Sequence, residues 1–503
     1  MPNDPGAGKP ATRRVKPHAD RKAGQTGFTF GTLPAQKVYA VGTPDFLMWQ
    51  SREAALLTLD VWEDMAAPLA GWAGVASRKK LRLLALAGND LNAYYDRRSL
   101  SFFASAVGGR TFYSGASTDV VAHETGHALL DAIRPDLWDS MFFEVSAVHE
   151  AFGDCIAMAV ALHDRETRRA LLEESADLGR ANFVEAWGED LSAAVRRTLG
   201  AQHNAALPRR GLNAFRWQFN DSLPDHGPAG LLINEIHSFG QLFSGCFYDL
   251  IRRLYQAGPR GEAGLLSAAK AAGRLLAAAI GKAPHLPRFM QSVGRTMVLE
   301  EETIFGGRHR AHIHDAFAAH GIGLGAAEML APRTAIGDAP QLRIGAQRVS
   351  ITKPAATALR RHLHADASAK VEMRPLDIGG RRVAEARHHR KVDLTGLAAY
   401  LKGVSARGVE PVLLQRSAGR AAILGSVPDG ISTEEEVRRF VASLVRHRQI
   451  RYADQSRKDG KAGSGAIADG NAKPTHEIAH KGAARTLRRV LFACGCKTGE
   501  CGG

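Results

Sequence analysis

The segment Ser117–Ile133, STDVVAHETGHALLDAI, combines a His-Glu-x-x-His pattern with apolar residues at helical spacing. On an α-helix His123 and His127 lie on the same face, so both imidazoles can reach one ion. Glu124 lies about 100° further round the helix, beside the open side of that ion. Zinc chemistry uses such a set, because two neutral imidazoles hold the metal while a carboxylate that is not a ligand takes a proton from water.

The flanking residues are typical of helix boundaries. Ser117 or Thr118 can cap the N-terminus, and Asp119 in the first turn suits the positive end of the helix dipole. Pro135 follows the last apolar residue, Ile133, where a helix is expected to stop. The segment is therefore predicted to be one helix that presents both histidines.

A third ligand is needed, because an HExxH string also arises by chance in a chain with 20 His among 503 residues. Glu150 and Asp154 are candidates downstream of His127. They precede an uncharged run, Cys155 to Leu162, that is typical of a buried helix, where carboxylates need partners. A metal for one and the N–H of a ligating histidine for the other would satisfy both. The alternative is that both carboxylates pair with Arg or Lys elsewhere.

Together with two further stretches, these residues resemble the thermolysin-like gluzincin zinc metallopeptidases. LNAYYDRRSLSFF, at Leu91 to Phe103, is similar to the family's Asn-Ala-aromatic-aromatic turn and the edge strand that lines its cleft. DVVAHE, at Asp119 to Glu124, matches the start of its active-site helix, and Glu150 with Asp154 matches its Glu-x-x-x-Asp pair. INEIHSFGQLF places His237 where the family carries an oxyanion-stabilising histidine.

This resemblance implies an α+β fold: a two-lobed core with a mainly helical C-terminal lobe. It also implies a role for each matching residue. One zinc ion would be held by His123, His127 and Glu150, with Glu124 as general base and His237 as oxyanion partner. Asp154 would bond to a zinc-bound histidine, and Asn92 and the carbonyl of Ala93 would contact the substrate backbone. In that arrangement Ser99 to Phe103 would be the strand to which an extended peptide adds.

The chain departs from the family at several positions. The residue before the third ligand is His149 instead of the usual Asn. The acidic residues that bind calcium in many members are absent after Asp154, so the sequence gives little support for bound calcium. Asp119 alone remains of that site, and we group it with Asp154 among the residues expected to surround the ligands. After His237 the usual Asn-Ser-Gly comes late, as Phe243-Ser244-Gly245.

Composition divides the chain into five segments. They are a disordered basic tail over 1–26, an α+β lobe over 27–133, a helical lobe over 134–330, a small α+β domain of unknown role over 331–452, and a basic Gly-rich tail over 453–503. The first segment lacks the apolar core of a signal peptide, and no apolar run approaches the roughly 20 residues of a membrane span. A cytoplasmic location without a transmembrane segment is the resulting expectation.

The pattern beyond residue 331 predicts alternating strands and helices. Strands are expected over 341–351, 370–375 and 409–414, and helices over 355–364, 394–404 and 433–447. No chemistry can be assigned to this domain.

The last segment contains a second HExxH, His476 to His480, which we reject as catalytic because no second helix follows to present Glu500. The basic stretch from Lys481 to Phe492 could touch anionic surfaces. Cys155 and Cys246 are expected to be buried thiols.

Three more cysteines, Cys494, Cys496 and Cys501, form C-x-C-x₄-C without an obvious fourth ligand. They are either plain exposed thiols or a metal or redox group. One variant of the second interpretation has a thiolate that blocks the open position of the zinc.

Taken together, the sequence predicts a zinc-dependent endopeptidase that acts on a peptide or protein. Two alternatives stay open. One is an inactive peptide-binding pseudopeptidase; the other, suggested by a net charge of +15, is a nucleic-acid-binding protein with a vestigial metal site. The charge lies largely in the tails and the C-terminal third, without a recognisable nucleic-acid motif.

Overall fold

The computed structural model describes residues 2–425, 432–452, 474–482 and 484–493. Helices take up 42% of the chain and strands 21%, so the fold belongs to the expected α+β class. The α-helices in these residues are α1 (Pro44–Met65), α2 (Thr118–Ile133), α3 (Phe143–His163), α4 (Arg165–Glu174), α5 (Glu189–Leu199), α6 (Ile236–Ala257), α7 (Gly261–Ile280), α8 (Phe289–Phe305), α9 (Arg310–Ala319), α10 (Ala326–Met329), α11 (Lys353–His362) and α12 (Thr433–Arg446).

The strands of the same residues form two larger sheets and three two-stranded sheets. In chain order they are β1 (Gly27–Phe30), β2 (Lys80–Leu84), β3 (Ala93–Tyr95), β4 (Ser99–Phe102), β5 (Ala104–Val107), β6 (Arg110–Tyr113), β7 (Ala186–Trp187), β8 (Arg209–Arg210), β9 (Pro332–Asp338), β10 (Leu342–Ile344), β11 (Val349–Ile351), β12 (Val371–Ile378), β13 (Arg381–Asp393), β14 (Val404–Ser417), β15 (Arg420–Leu424), β16 (Ile450–Arg451), β17 (His476–Lys481), β18 (Ala484–Arg489) and β19 (Phe492–Ala493).

The predicted helix α2 is confirmed, with Ser117 as its N-cap. The Ser117 side chain accepts a hydrogen bond from the backbone N–H of Val120 at 3.2 Å. At the other end Ile133 is the last helical residue, and Pro135 begins a short 3₁₀ turn. The predicted buried helix is α3, in which every residue from Phe143 to Leu162 is buried.

Two glycines let α2 and α3 approach closely. A Cβ placed on Gly126 would lie 2.8 Å from the Cα of Gly153, and one placed on Gly153 would lie 2.6 Å from Nδ1 of His123. Real Cβ atoms do not approach other atoms so closely, because interiors are already close-packed. The glycine pair therefore allows His123 and His127 to face Glu150 across the helix contact.

The five-stranded sheet has the order β1-β2-β4-β3-β19. Strand β4, the predicted peptide-binding edge, instead lies between β2 and β3 and is buried throughout. Strand β3 turns back antiparallel on β4 on that side. Its other side pairs with β19, which comes from the far end of the chain. On this side of the sheet β3, not Ser99 to Phe103, is therefore the strand that pairs with β19.

The C-terminal segments build an eight-stranded sheet. Its main path is β12-β13-β14-β18-β17-β16, and β15 joins β14 to β9. Helices α11 and α12 agree with the predicted helices, but the helix expected over 394–404 is absent from the described structure there, which has only a 3₁₀ turn at Ala399–Leu401. Buried residues of β14 and α12 belong to the same hydrophobic core as α2 and α3.

Residues 2–26 contain little regular structure but are packed against the folded chain, unlike the disordered tail expected there. Asp4 is buried, His18 contacts Glu53 at 2.7 Å, and Arg21 donates to Glu63 at 2.8 Å. Both glutamates belong to α1. Opposite charge on that helix explains why a basic segment without apolar periodicity lies along it.

Two helices are long and apolar enough to cross a membrane by length and composition, Phe143–His163 and Gly261–Ile280. The most apolar part of the first is wholly buried inside the protein, and that of the second is 56% buried. Core helices pass the same test, so these helices are weak evidence for a membrane span.

Candidate metal centre

The predicted ligands lie together on the facing sides of α2 and α3. Oε2 of Glu150 is 3.4 Å from Nε2 of His123 and 3.5 Å from Nε2 of His127, and all three side chains are buried. Ligand atoms about 2.1 Å from a tetrahedral zinc ion are about 3.4 Å apart, so this spacing fits one shared ion. The two histidines and Glu124 also each offer an atom within 4.8 Å of one another.

The other ring nitrogens of the two histidines have partners that orient the rings. Nδ1 of His123 is 2.8 Å from Oδ1 of Asp154, and Nδ1 of His127 is 2.9 Å from Nδ1 of His149. One of the two nitrogens in the second pair must carry the hydrogen and the other accept it. Both arrangements leave Nε2 facing Glu150, as metal-binding histidines require.

Arg209 holds Asp154 in place, a contact that we did not predict. Its guanidinium donates two hydrogen bonds to the Asp154 carboxylate, at 2.7 and 3.1 Å. Arg209 belongs to β8, far along the chain from α3, and no local pattern points to it. The sequence left open that both carboxylates pair with Arg or Lys elsewhere. Asp154 does pair with an arginine, and it also contacts His123.

Charge states in the cluster suit a divalent cation. Burial lowers the pKa of His127 to about 4 and that of His149 well below its usual value, so both rings are neutral near pH 7. Although burial acts in the opposite direction, nearby His237 and His127 bring the pKa of Glu150 well below its usual range. The pKa of Asp154 is likewise lowered, since Arg209 and His123 outweigh the effect of burial.

His237 reaches the same cluster from the first turn of α6. Its Nε2 is 3.1 Å from Oε2 of Glu150, and its Nδ1 is 2.6 Å from Oε1 of Glu235. Glu235 is the N-cap of α6 and accepts from the backbone N–H groups of His237 and Ser238. Despite burial, the charge of His237 and these hydrogen bonds lower the pKa of Glu235 to about 2. Glu235 was missed because a capping carboxylate two residues before a histidine is unremarkable in sequence.

Asn92 and Ala93 lie at the start of β3. The Asn92 side chain is buried, and its Oδ1 accepts from the backbone N–H of Ala93 at 2.9 Å. Ala93 pairs with Phe102 of β4. Asn92 thus directly precedes, and Ala93 begins, the strand that lies between β4 and β19, and their contact with a substrate stays a prediction.

Asp119 lies in a different carboxylate group. It clusters with Asp4 and Glu189, and one oxygen from each lies within 4.8 Å of the others. The hydrogen bond to Nδ1 of His123 comes from Asp154, not Asp119. The sequence gives little support for calcium because acidic residues are missing after Asp154. The carboxylates around Asp119 come from other parts of the chain, which only the tertiary structure brings together.

This carboxylate group predicts a pH dependence of stability. Burial and the neighbouring Asp4 raise the pKa of Glu189 from 4.5 to about 8, and burial raises that of Asp119 well above its usual value. A raised carboxyl pKa stabilises the fold at low pH, and this stabilisation is lost as the pH rises through about 8. Buried histidines such as His127 act in the opposite direction in this pH range, so the test is a comparison of two proteins. With chelator present, the free energy of unfolding of the wild type, from urea titrations, should fall relative to that of Glu189→Gln between about pH 5 and about pH 8. A difference between the two proteins that does not change with pH would contradict this prediction.

The other cysteine and histidine motifs lie apart from these ligands or outside the described residues. The second HExxH lies on strand β17, where residues four apart are about 13 Å apart, so it cannot hold a metal as a helix does. Cys155 and Cys246 are buried free thiols as expected, and burial raises the pKa of both. Cys494, Cys496 and Cys501 lie outside the described residues.

Comparison of the sequence with models of known protein families gives no match, and comparison with curated proteins finds no similar sequence. The case for a function therefore depends on the geometry of the cluster and on the motif resemblance.

Proposed function

We propose that the chain is a zinc-dependent endopeptidase with a thermolysin-like, two-lobed core. The observation that carries this proposal is the approach of Glu150 Oε2 to within 3.4 and 3.5 Å of the two imidazole Nε2 atoms, with Glu124 beside them. Two imidazoles and a carboxylate, with a glutamate next to the first histidine, form the donor set of catalytic zinc sites.

His123, His127 and Glu150 would hold the ion, which when bound lowers the pKa of water towards 7 and polarises a carbonyl group. Glu124 takes the proton from the attacking water and passes it to the leaving amine. It is fully buried, so its carboxylate works in a low-dielectric setting where proton transfer is sensitive to position.

His237 would stabilise the oxyanion that forms on the attacked carbonyl. Both of its ring nitrogens face oxygen atoms. Nδ1 faces Oε1 of Glu235, and Nε2 faces Oε2 of Glu150 and the carbonyl oxygen of Ala493. A doubly protonated ring can donate to both sides, and a charged donor aimed at a developing negative charge lowers the barrier. Glu235 acts as a positioning residue, because its carboxylate contacts Nδ1 and so orients Nε2 towards Glu150.

The test of the proposed function combines metal analysis with a cleavage assay. The purified protein should contain one zinc ion per chain and should fragment a mixture of denatured proteins. A chelator should stop the fragmentation, and added zinc should restore it. Protein that takes up no zinc, or cleavage that a chelator leaves unchanged, would contradict the proposal.

A peptide-binding pseudopeptidase is the second candidate, and one observation favours it: the chain's own residues Phe492 and Ala493 lie beside the ligands. This candidate predicts one zinc ion per chain and peptide binding, but no fragments even after prolonged incubation with zinc.

Asp154→Asn is expected to weaken zinc binding by roughly 10-fold to 100-fold, because it removes the carboxylate that orients His123. Competition with a chromophoric chelator measures this change. Asp131→Asn is the matched control: Asp131 is equally buried on α2 and is bonded to Arg97, at 2.6 and 2.9 Å. That variant should keep the zinc affinity of the wild type. Equal losses in the two variants would mean that general destabilisation, not orientation of His123, explains the effect.

A further inference from the structure

Strand β19 pairs with β3 at one edge of the five-stranded sheet, in the way that a peptide substrate would. Phe492 pairs with Tyr95 and Ala493 with Tyr94, antiparallel to β3. Backbone pairing with an exposed strand is a general mode of peptide recognition. The chain therefore fills its own peptide-binding edge.

The Phe492 side chain occupies a pocket built partly from the metal site. Its ring stacks on His149 at a centroid distance of 3.8 Å and on His127 at 4.8 Å, and it meets the edge of Trp138 at 5.4 Å. The residue is only 1% exposed. His149, the departure from the family's usual Asn, thus has two contacts: Nδ1 with His127 and its ring face with an aromatic side chain.

The Ala493 carbonyl lies where the carbonyl of a substrate would be expected. Its oxygen is 2.8 Å from Nε2 of His237, the same nitrogen that is 3.1 Å from Oε2 of Glu150. The main chain of Ala493 is thus bonded to the proposed oxyanion partner, next to a proposed zinc ligand. A substrate carbonyl could not make the same hydrogen bond while Ala493 is in place.

Strand β18 and the Arg489 side chain hold Phe492 and Ala493 beside the predicted ligands. Strand β18, which ends at Arg489, pairs with β17 and β14 in the eight-stranded sheet. The buried Arg489 side chain donates to the carbonyl of Trp138 and to Oγ of Ser146, and its guanidinium is 4.0 Å from the Phe492 ring centroid. A segment tethered in this way has a high effective concentration at the cleft, so a free peptide competes poorly with it.

We propose that Leu491–Ala493 is a built-in pseudosubstrate that blocks the cleft of the intact chain. It follows that peptides able to replace it carry an aromatic residue that enters the pocket of His149 and Trp138. This inference rests on the proposed function for its enzymatic consequence, but the occupancy of the cleft can be tested without catalysis.

The first experiment measures peptide binding in the presence of a chelator, so that neither zinc nor turnover is needed. The probe is a fluorescent peptide with the sequence Arg-Val-Leu-Phe-Ala, added to the full-length protein. Phe492→Ala and Arg489→Ala should each bind it at least tenfold more tightly than the wild type, because the internal segment is weakened. The same peptide with Ala in place of Phe should not bind. Phe317→Ala, a buried phenylalanine of α9, is the control and should behave as the wild type.

The second experiment compares cleavage of denatured protein by the zinc-loaded wild type and Phe492→Ala. A rate at least tenfold higher in the variant supports the proposal. Equal cleavage rates, or equal peptide binding in all full-length variants, overturn it while leaving the proposed peptidase function intact. Peptide binding by Phe492→Ala without cleavage instead supports the blocked cleft and contradicts the peptidase. Mass spectrometry after zinc addition gives a last check, because loss of the residues after Ala493 would make this segment a substrate and overturn the proposal.

Discussion

Glu124→Gln is expected to keep one zinc ion per chain and to lower the rate of peptide cleavage by roughly 10²-fold to 10⁴-fold. The amide has nearly the same shape as the carboxylate but cannot accept the proton of the attacking water. Glu124 lies one residue after His123, about 100° round α2, so its replacement leaves His123, His127 and Glu150 in place. Elemental analysis and initial rates on a denatured protein measure the two effects. Rates are best compared in the Phe492→Ala background, where the cleft is expected to be open.

Glu301→Gln is the matched control for this variant. Glu301 is also fully buried, but it lies on α8, where Oε1 accepts from the backbone N–H of His309 at 2.8 Å. The control should keep both zinc and activity. A Glu124→Gln protein as active as the wild type would show that another group takes the proton.

His127→Ala is expected to lose the metal itself. The one imidazole and one carboxylate that remain bind zinc far more weakly than the complete set of three ligands. Zinc at about 1,000 times its Kd stabilises a folded protein by about 4 kcal/mol, so added zinc should raise the Tm of the wild type and not that of the variant. Thermal unfolding with zinc or with chelator, together with elemental analysis, measures this difference.

His480→Ala controls for the presence of a second HExxH. His480 is the second histidine of that motif, but it lies on strand β17, where it pairs with Arg485 of β18. The control should keep one zinc ion per chain and the full zinc-dependent increase in Tm. If His127→Ala still holds one zinc ion while His480→Ala loses it, the metal site has been assigned to the wrong motif.

Local sequence was sufficient for the helices that carry the predicted ligands. The cap at Ser117, the apolar spacing of α2 and the uncharged run after Asp154 are features of neighbouring residues, and both helices are present as predicted. Helical geometry alone puts His123 and His127 on one face. The buried carboxylates of α3 make Glu150 a ligand candidate and the family resemblance selects it; in the structure Glu150 lies 3.4 and 3.5 Å from the two imidazoles.

Other predictions failed where the outcome depended on long-range pairing. The segment 394–404 has helical spacing, but it connects two long strands of the eight-stranded sheet and contains only a 3₁₀ turn at Ala399–Leu401. The family resemblance implies an edge strand at Ser99 to Phe103, whereas the order of strands in the sheet puts β3 outside it. Residues 2–26 have no periodicity to detect, and their position follows from charges on α1.

A single helix and the face on which its histidines lie could be deduced from the residues in order, because an i to i+4 relation is set by backbone geometry. Which groups meet around those histidines is decided by contacts between positions far apart in the chain, such as Arg209 with Asp154 and Phe492 with Tyr95. Short strands and lone charged side chains carry no periodic signal of their partners. Only the packing of the whole chain brings them together, and that packing places the chain's own C-terminal segment beside the candidate metal centre.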